Sequence, residues 1–178
     1  MVDDFSDFYS SRKDRVLRVV GAASGGRDAG IEDAVAEAFA RAYAGWSRVS
    51  RHPDPTAWVM LTALNIQRSW WRRIRREVLV STFSDPAPVA DRVDVPAAVQ
   101  SAIAELPRRQ REVLAFRLLG DLSPAATAAA LRISESTVSV HLSRALATLR
   151  ARLTPAADEP AVRAPRDAVD QAARAAGR

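Results

Sequence analysis

The chain contains no cysteine and a single lysine, Lys13, among its 178 residues. Without cysteine there is no disulfide framework, no thiolate metal site and no thiol nucleophile. With one lysine, the net charge of +5 rests almost wholly on arginine, and such basicity favours an anionic partner such as nucleic acid. Histidine is scarce as well: His52 and His141 lie far apart, with no metal-ligand or nucleophile constellation around them. No catalytic residue, metal or cofactor is therefore expected, and an enzyme is the least favoured class. No apolar run approaches ~18 residues and no secretory h-region is present, which predicts neither membrane insertion nor export and points to the cytoplasm.

What the chain does have is helical pattern. Its 48% hydrophobic content is enough for real cores, and the length and spacing favour an all-α fold of two small helical domains. Over Phe5–Ala23, the residues Phe5, Phe8, Tyr9, Leu17 and Val20 recur at helical intervals until the run GGRDAG, ending at Gly30, breaks the helix. The pair Gly25-Gly26 reads as a turn and not as a phosphate cradle, because no lysine follows and no strand precedes it. A second helix is predicted from Ile31 to Gly45, with Ile31, Val35, Ala38, Phe39, Ala42 and Trp46 on one face and Glu32, Asp33, Glu37 and Arg41 on the other. Taken alone, that charged face is most simply a solvated one.

The polar loop SRVSRHPDPT leads to a long helix predicted over Pro55–Glu77, capped by Asp54 with Pro55 at its first position. Ala57, Met60, Leu61, Leu64 and Trp71 point one way, and Thr62, Asn65, Ser69, Arg72 and Arg76 fall on another side. The run WWRRIRRE packs Arg72, Arg73, Arg75 and Arg76 into a turn and a half, a like-charge cluster that calls for an anion to relieve it. Trp58 and Trp71 are expected in the core, whereas Trp70 divides evenly between core and base stacking. Residues 78–96, with their prolines and acidic excess, read as a linker, and residues 154–178 as a largely disordered tail.

The segment Leu106–Leu153 reads as three short helices with a tight corner before the last. A leading helix, Ala97–Leu106, feeds into it. Pro107 opens the first helix and Gly120 ends it; Ser123 caps a second that starts at Pro124 and closes on Leu131; Ser134 caps a third. In the third helix Val138, Leu142, Ala145 and Leu149 form an apolar stripe. The opposite face carries Ser136, Ser139, Ser143 and Arg144, small polar groups and one long cation, which suits a helix lying in a major groove.

At these residues the chain resembles a known family. Leu106-Pro107, Gln110-Arg111-Glu112-Val113-Leu114, Leu122-Ser123, Ile133-Ser134, Thr137-Val138 and Arg144-Ala145-Leu146 resemble, in order and spacing, region four of bacterial RNA polymerase sigma factors, which reads the minus-thirty-five promoter element. The chain departs from that pattern at Arg132, where a turn glycine is usual, at Ala126, where an acidic residue is common, and at Ser139 and His141, where basic residues usually stand. EDAVAEAFARAYAGW is likewise similar to sigma region 2.2. The absence of a larger region between the two halves matches the extracytoplasmic-function group of the sigma-70 family.

The resemblance implies a division of labour. Residues 1–77 would be sigma region 2, 78–96 the linker and 97–153 sigma region 4. Core RNA polymerase, through its clamp coiled coil and flap, and promoter DNA are the implied partners, and the family commonly has an anti-sigma factor. Glu32, Asp33, Glu37 and Arg41 would meet the polymerase. The loop residues Ser47, Arg48, Ser50, Arg51 and His52 would receive a flipped minus-ten base, with Asn65, Arg68, Arg72 and Arg73 tracking the strand. Ser136, Thr137, Ser139, Val140, His141, Ser143 and Arg144 would face the minus-thirty-five duplex. Rival readings are a stand-alone helix-turn-helix regulator binding a palindromic operator as a dimer, which leaves the tryptophan- and arginine-rich helix without a role, and a helical adaptor that binds polymerase without DNA.

Overall fold

The computed structural model describes residues 2–25, 30–78 and 96–154, and among these the regular structure is all helical. In the N-terminal half, α1 (Val2–Ser24), α2 (Ile31–Ala44), the single turn α3 (Trp46–Val49) and α4 (Pro55–Val78) follow one another. The C-terminal half comprises α5 (Ala97–Ala104), α6 (Arg108–Leu114) running into a π-helical turn at Ala115–Leu119, α7 (Pro124–Leu131) and α8 (Glu135–Leu153). The expected linker, the tail beyond Thr154 and the glycine loop at 26–29 lie outside the described residues.

Local chemistry accounts for most of the boundaries. Asp54 caps α4 as predicted, its Oδ1 accepting from the Ala57 N–H at 2.8 Å. Ser123 accepts from the Ala126 N–H at 3.0 Å, and Ser134 from the Thr137 N–H at 3.1 Å, so α7 and α8 begin where the serines placed them. Two details differ from the sequence reading. The stretch opening with Trp46, assigned in large part to a polar loop, is a helical turn, because Trp46 and Val49 are both buried and pull it onto the core. Pro107 sits at the cap of α6, with extended backbone (φ −51°, ψ 138°), and not at its first helical position.

The two halves share one core. Val16, Val19 and Val20 of α1, Phe39 of α2 and Met60 and Leu64 of α4 pack in the same cluster as Val113, Phe116, Leu122, Leu131 and Val138. Phe116 is wholly buried, and burial of that kind stabilises by roughly 2–3 kcal/mol. Helix α4 is accordingly buried on more than the stripe its spacing indicated: Val59, Ala63, Ile66 and Gln67 are also enclosed. A smaller cluster of Leu106, Leu114 and Ala145 locks α8 against the start of the C-terminal half.

Glycines mark the closest approaches. Gly30, in the left-handed region at φ 78°, caps α2, and a Cβ there would stand 3.3 Å from the Trp70 ring. Trp70, evenly balanced between core and stacking in the sequence, is therefore a packing residue. Gly25, at φ 72°, leaves a space that the Arg111 side chain fills; a Cβ would lie 2.7 Å from Arg111 Cζ.

Candidate nucleic-acid interface

The corner before α8 sets the presentation of its outward face. Arg132 adopts φ 54°, ψ 52°, the left-handed geometry that normally calls for glycine. This turns the chain so that Ser134 meets the first turn of α8, where its Oγ lies 2.8 Å from both Ser136 Oγ and Thr137 Oγ1. Val138 and Ala145 face inward and are buried. Ser136, Ser139, Val140, Ser143 and Arg144 are exposed together on the outer side. Two of the residues expected there turn part-way in: Thr137 and His141 are half-buried, and His141 Nδ1 is enclosed without a bonding partner. The exposed set combines hydroxyls, one methyl-rich surface at Val140 and one cation, a mixture able to meet base edges and phosphate.

Residues expected at the minus-ten strand gather at the end of α3 and along α4. Ser47, Arg48, Ser50, Arg51 and His52 are all exposed. Arg51 Nε donates to the Ser47 carbonyl at 2.6 Å, and His52 Nδ1 is held against the Asp54 backbone, which folds the segment back on itself. Next to it lies a groove of ≈ 480 Å³ whose lining includes Asp4, Asp7, Phe8, Arg12, Trp46 and Ser50. Trp46 Nε1 donates to Asp4 Oδ2 at 3.1 Å, tying α1 to that wall. The contribution of α1 to this groove was not legible in the sequence, since nothing local relates Asp4 to Trp46.

Asn65, Arg72 and Arg73 are exposed on α4 as expected. The side chains of Arg75 and Arg76 lie outside the described residues. Arg68 departs from the set: it is half-buried, with Nη2 donating to Glu112 Oε1 at 2.5 Å and Nη1 to Asn65 Oδ1 at 3.3 Å. Burial lowers the pKa of its guanidinium, Glu112 opposes the shift, and Arg108, Arg109 and Arg72 add to the lowering.

Glu112 is fully buried and collects three guanidinium groups, from Arg68, from Arg108 at 2.6 Å and from Arg109 at 3.0 Å. Its neighbour Arg111 is buried too. Arg111 Nε donates to the Ala23 carbonyl at 3.1 Å, and Nη1 to the carbonyls of Ala104 and Leu106 at 2.7 and 2.9 Å. One cation thus serves the C-terminal ends of α1 and α5, where unpaired carbonyls and the helix dipole favour positive charge. Neither role was foreseen, although two charged residues beside the apolar pair Val113-Leu114 were a signal that something polar is enclosed there.

On α2, Glu32 and Asp33 stand exposed at the rim of a ≈ 280 Å³ groove with Tyr9, Leu17 and Phe39 in its lining and Lys13 opposite. One turn on, Arg41 Nε pairs with Glu37 Oε1 at 2.9 Å, both side chains about half-exposed. Glu32 and Asp33 thus form an acidic border to an apolar floor, and the Glu37–Arg41 pair stands further along the same helix.

Residues 97–149 match the family model for sigma-70, region 4. The RNA polymerase sigma-E factor of Streptomyces antibioticus is 30% identical over 154 residues, with 84% of each chain covered. The chain belongs to the sigma-70 family. The sigma-E factor of Streptomyces coelicolor is 28% identical over 157 residues, covering 84% of this chain and 86% of that one. Among solved structures, the sigma factor RpoE from Bartonella quintana, in complex with the anti-sigma factor NepR, superposes with a TM-score of 0.71 at 22% identity, over 84% of this chain and 96% of the other. Such coverage extends over both helical halves of this sigma factor. Its group is the extracytoplasmic-function one, and its activity lies in transcription initiation as a specificity factor of RNA polymerase. Among the described residues no helix is long and apolar enough to cross a membrane.

Proposed function

We propose that this sigma factor reads the minus-thirty-five element as duplex with the outer face of α8, and captures the minus-ten strand with the α3–α4 segment. Residues 1–77 act as region 2, 78–96 as the connection, 97–153 as region 4 and 154–178 as a tail. Arg144 and the serines at 136, 139 and 143 meet the duplex. The groove beside Ser50, walled by Asp4, Phe8 and Trp46, receives an unstacked base, while Asn65, Arg72 and Arg73 follow the strand and Arg68 joins them. Glu32, Asp33, Glu37 and Arg41 dock on core polymerase. The chain carries no chemistry of its own and works in the cytoplasm, so that binding energy spent on an unstacked base stabilises open DNA. The Bartonella relative was solved with an anti-sigma factor bound, and a partner of that class is proposed here as well.

The observation that carries this reading is α8: a capped helix with Val138 and Ala145 buried behind it and a row of small polar side chains and Arg144 left outside. Run-off transcription from a genomic fragment pool, with purified core polymerase and with or without the chain, tests it. Discrete new start sites are expected when the chain is added. Identical transcript patterns in both arms would refute the proposal.

A further inference from the structure

Around Glu112 positive charge exceeds negative. The guanidinium groups of Arg68, Arg108 and Arg109 converge on its buried carboxylate at 2.5, 2.6 and 3.0 Å, three positive charges against one negative in a small volume. Arg72 stands near enough to Arg68 for their like charges to oppose one another. An anion relieves a cluster of that kind.

The two outer members are held without being used up. Arg108 gives Glu112 its Nε and Arg109 its Nη1, and their remaining N–H groups have no partner among the described residues. Their side chains are 60% and 47% exposed, so an anion reaches them from solvent. An unanchored surface arginine gives up rotamer freedom when it binds, whereas these two have already given up much of it to a carboxylate fixed in the core. Arg68 Nη2 and Arg108 Nε share the same oxygen, Oε1, which sets them side by side.

We propose that Arg108 and Arg109, with Arg68 beside them, form a binding site for a compact, multiply charged phosphate group of a small molecule: pyrophosphate, or the terminal phosphates of a nucleotide. Arginine forks match the oxygens of phosphate in pairs. The compactness of the cluster selects within that chemistry. A nucleic-acid strand carries one charge per phosphate, spread along its backbone, whereas a terminal phosphate concentrates about two charges and three acceptor oxygens on one phosphorus. The excess of positive charge around Glu112 matches the second arrangement. Arg108 and Arg109 have no part in the promoter or polymerase contacts proposed above, so their substitution tests this site separately.

Isothermal titration calorimetry on the full chain, in magnesium-free buffer of fixed ionic strength, measures affinity for inorganic pyrophosphate, ADP, sulfate and a thymidine 20-mer without terminal phosphate. The chain is compared with Arg108→Gln/Arg109→Gln, with Arg108→Lys/Arg109→Lys, and with Arg18→Gln/Arg150→Gln, which removes as much charge at exposed positions elsewhere. Far-UV circular dichroism verifies helix content. A single pyrophosphate is expected per chain, bound about tenfold or more tighter than sulfate. The glutamine pair should weaken it about tenfold or more. The lysine pair should weaken it about threefold, because the charge stays and the fork is lost, and the distant pair less than about twofold. ADP binding as tightly as pyrophosphate would identify a nucleotide as the source, and pyrophosphate binding alone a free diphosphate. Absence of saturable pyrophosphate binding to the unsubstituted chain would overturn the proposal, whether or not the variants fold. Equal losses in the glutamine and distant pairs would reduce the effect to net charge and overturn it too. A glutamine pair that loses the 20-mer while keeping pyrophosphate would make the cluster a backbone contact, against the proposal.

Discussion

Arg68 Nη2 donates to Glu112 Oε1 at 2.5 Å, joining α4 to α6 across 44 positions of sequence. The pair is unequal. Glu112 has three cationic partners and no solvent, whereas Arg68 has one carboxylate, one amide and some access to water. Replacing Glu112 by alanine leaves three guanidinium groups crowded around an empty site and should cost about 3 kcal/mol. Replacing Arg68 by alanine leaves Glu112 still served by Arg108 and Arg109 and should cost about 1 kcal/mol. Urea midpoints of the two variants measure this asymmetry, and equal losses would contradict it.

Arg132 holds a left-handed backbone at φ 54° with an exposed side chain. Glycine adopts that conformation without the Cβ penalty, so Arg132→Gly should raise stability by up to about 1 kcal/mol. The same change leaves the outer face of α8 untouched. An unchanged or lowered unfolding midpoint would mean that the corner is held by contacts stronger than its backbone preference.

Arg72 and Arg73 are adjacent cations, both exposed on α4. Substituting both by alanine should leave recovery of core polymerase unchanged and impair promoter melting. Each lost single-strand phosphate contact should flatten the salt dependence by about 0.7 log units per log salt. A permanganate footprint identical to that of the unsubstituted chain would remove this pair from the minus-ten surface.

Glu37 and Arg41 form an i,i+4 pair at 2.9 Å on the outward side of α2. A half-exposed pair of this kind contributes about 0.5 kcal/mol or less to stability. Replacing both by alanine should therefore leave thermal unfolding nearly unchanged while weakening association with core polymerase, read in a pull-down. Normal recovery would place the docking face elsewhere.

The readable parts of the fold were those decided by near neighbours. Asp54, Ser123 and Ser134 cap helices because a short oxygen acceptor reaches an N–H only three residues away, and that relation is written in the order of residues. The buried face of α2 followed in the same way, since a 3.6-residue period needs no knowledge of the rest of the chain. The spacing put Ser136, Ser139, Ser143 and Arg144 on the outer face of α8, and all four are exposed, whereas Thr137 and His141, which only the family resemblance added, are half-buried. How far a flank position turns inward depends on which helices stand against it, and periodicity carries no information about that.

The sequence by itself determined an all-helical chain, its caps and breaks, the arginine-rich character of α4 and the family to which its C-terminal pattern belongs. Tertiary structure alone decided that Asp4 and Trp46 wall one groove, that Arg111 sits in the space left by Gly25, and that Arg68 is bonded to Glu112. The reason is the range of the forces concerned. Helix propensity, capping and periodicity act within a turn or two of the chain, whereas a buried carboxylate can draw its cations from any element the fold brings near.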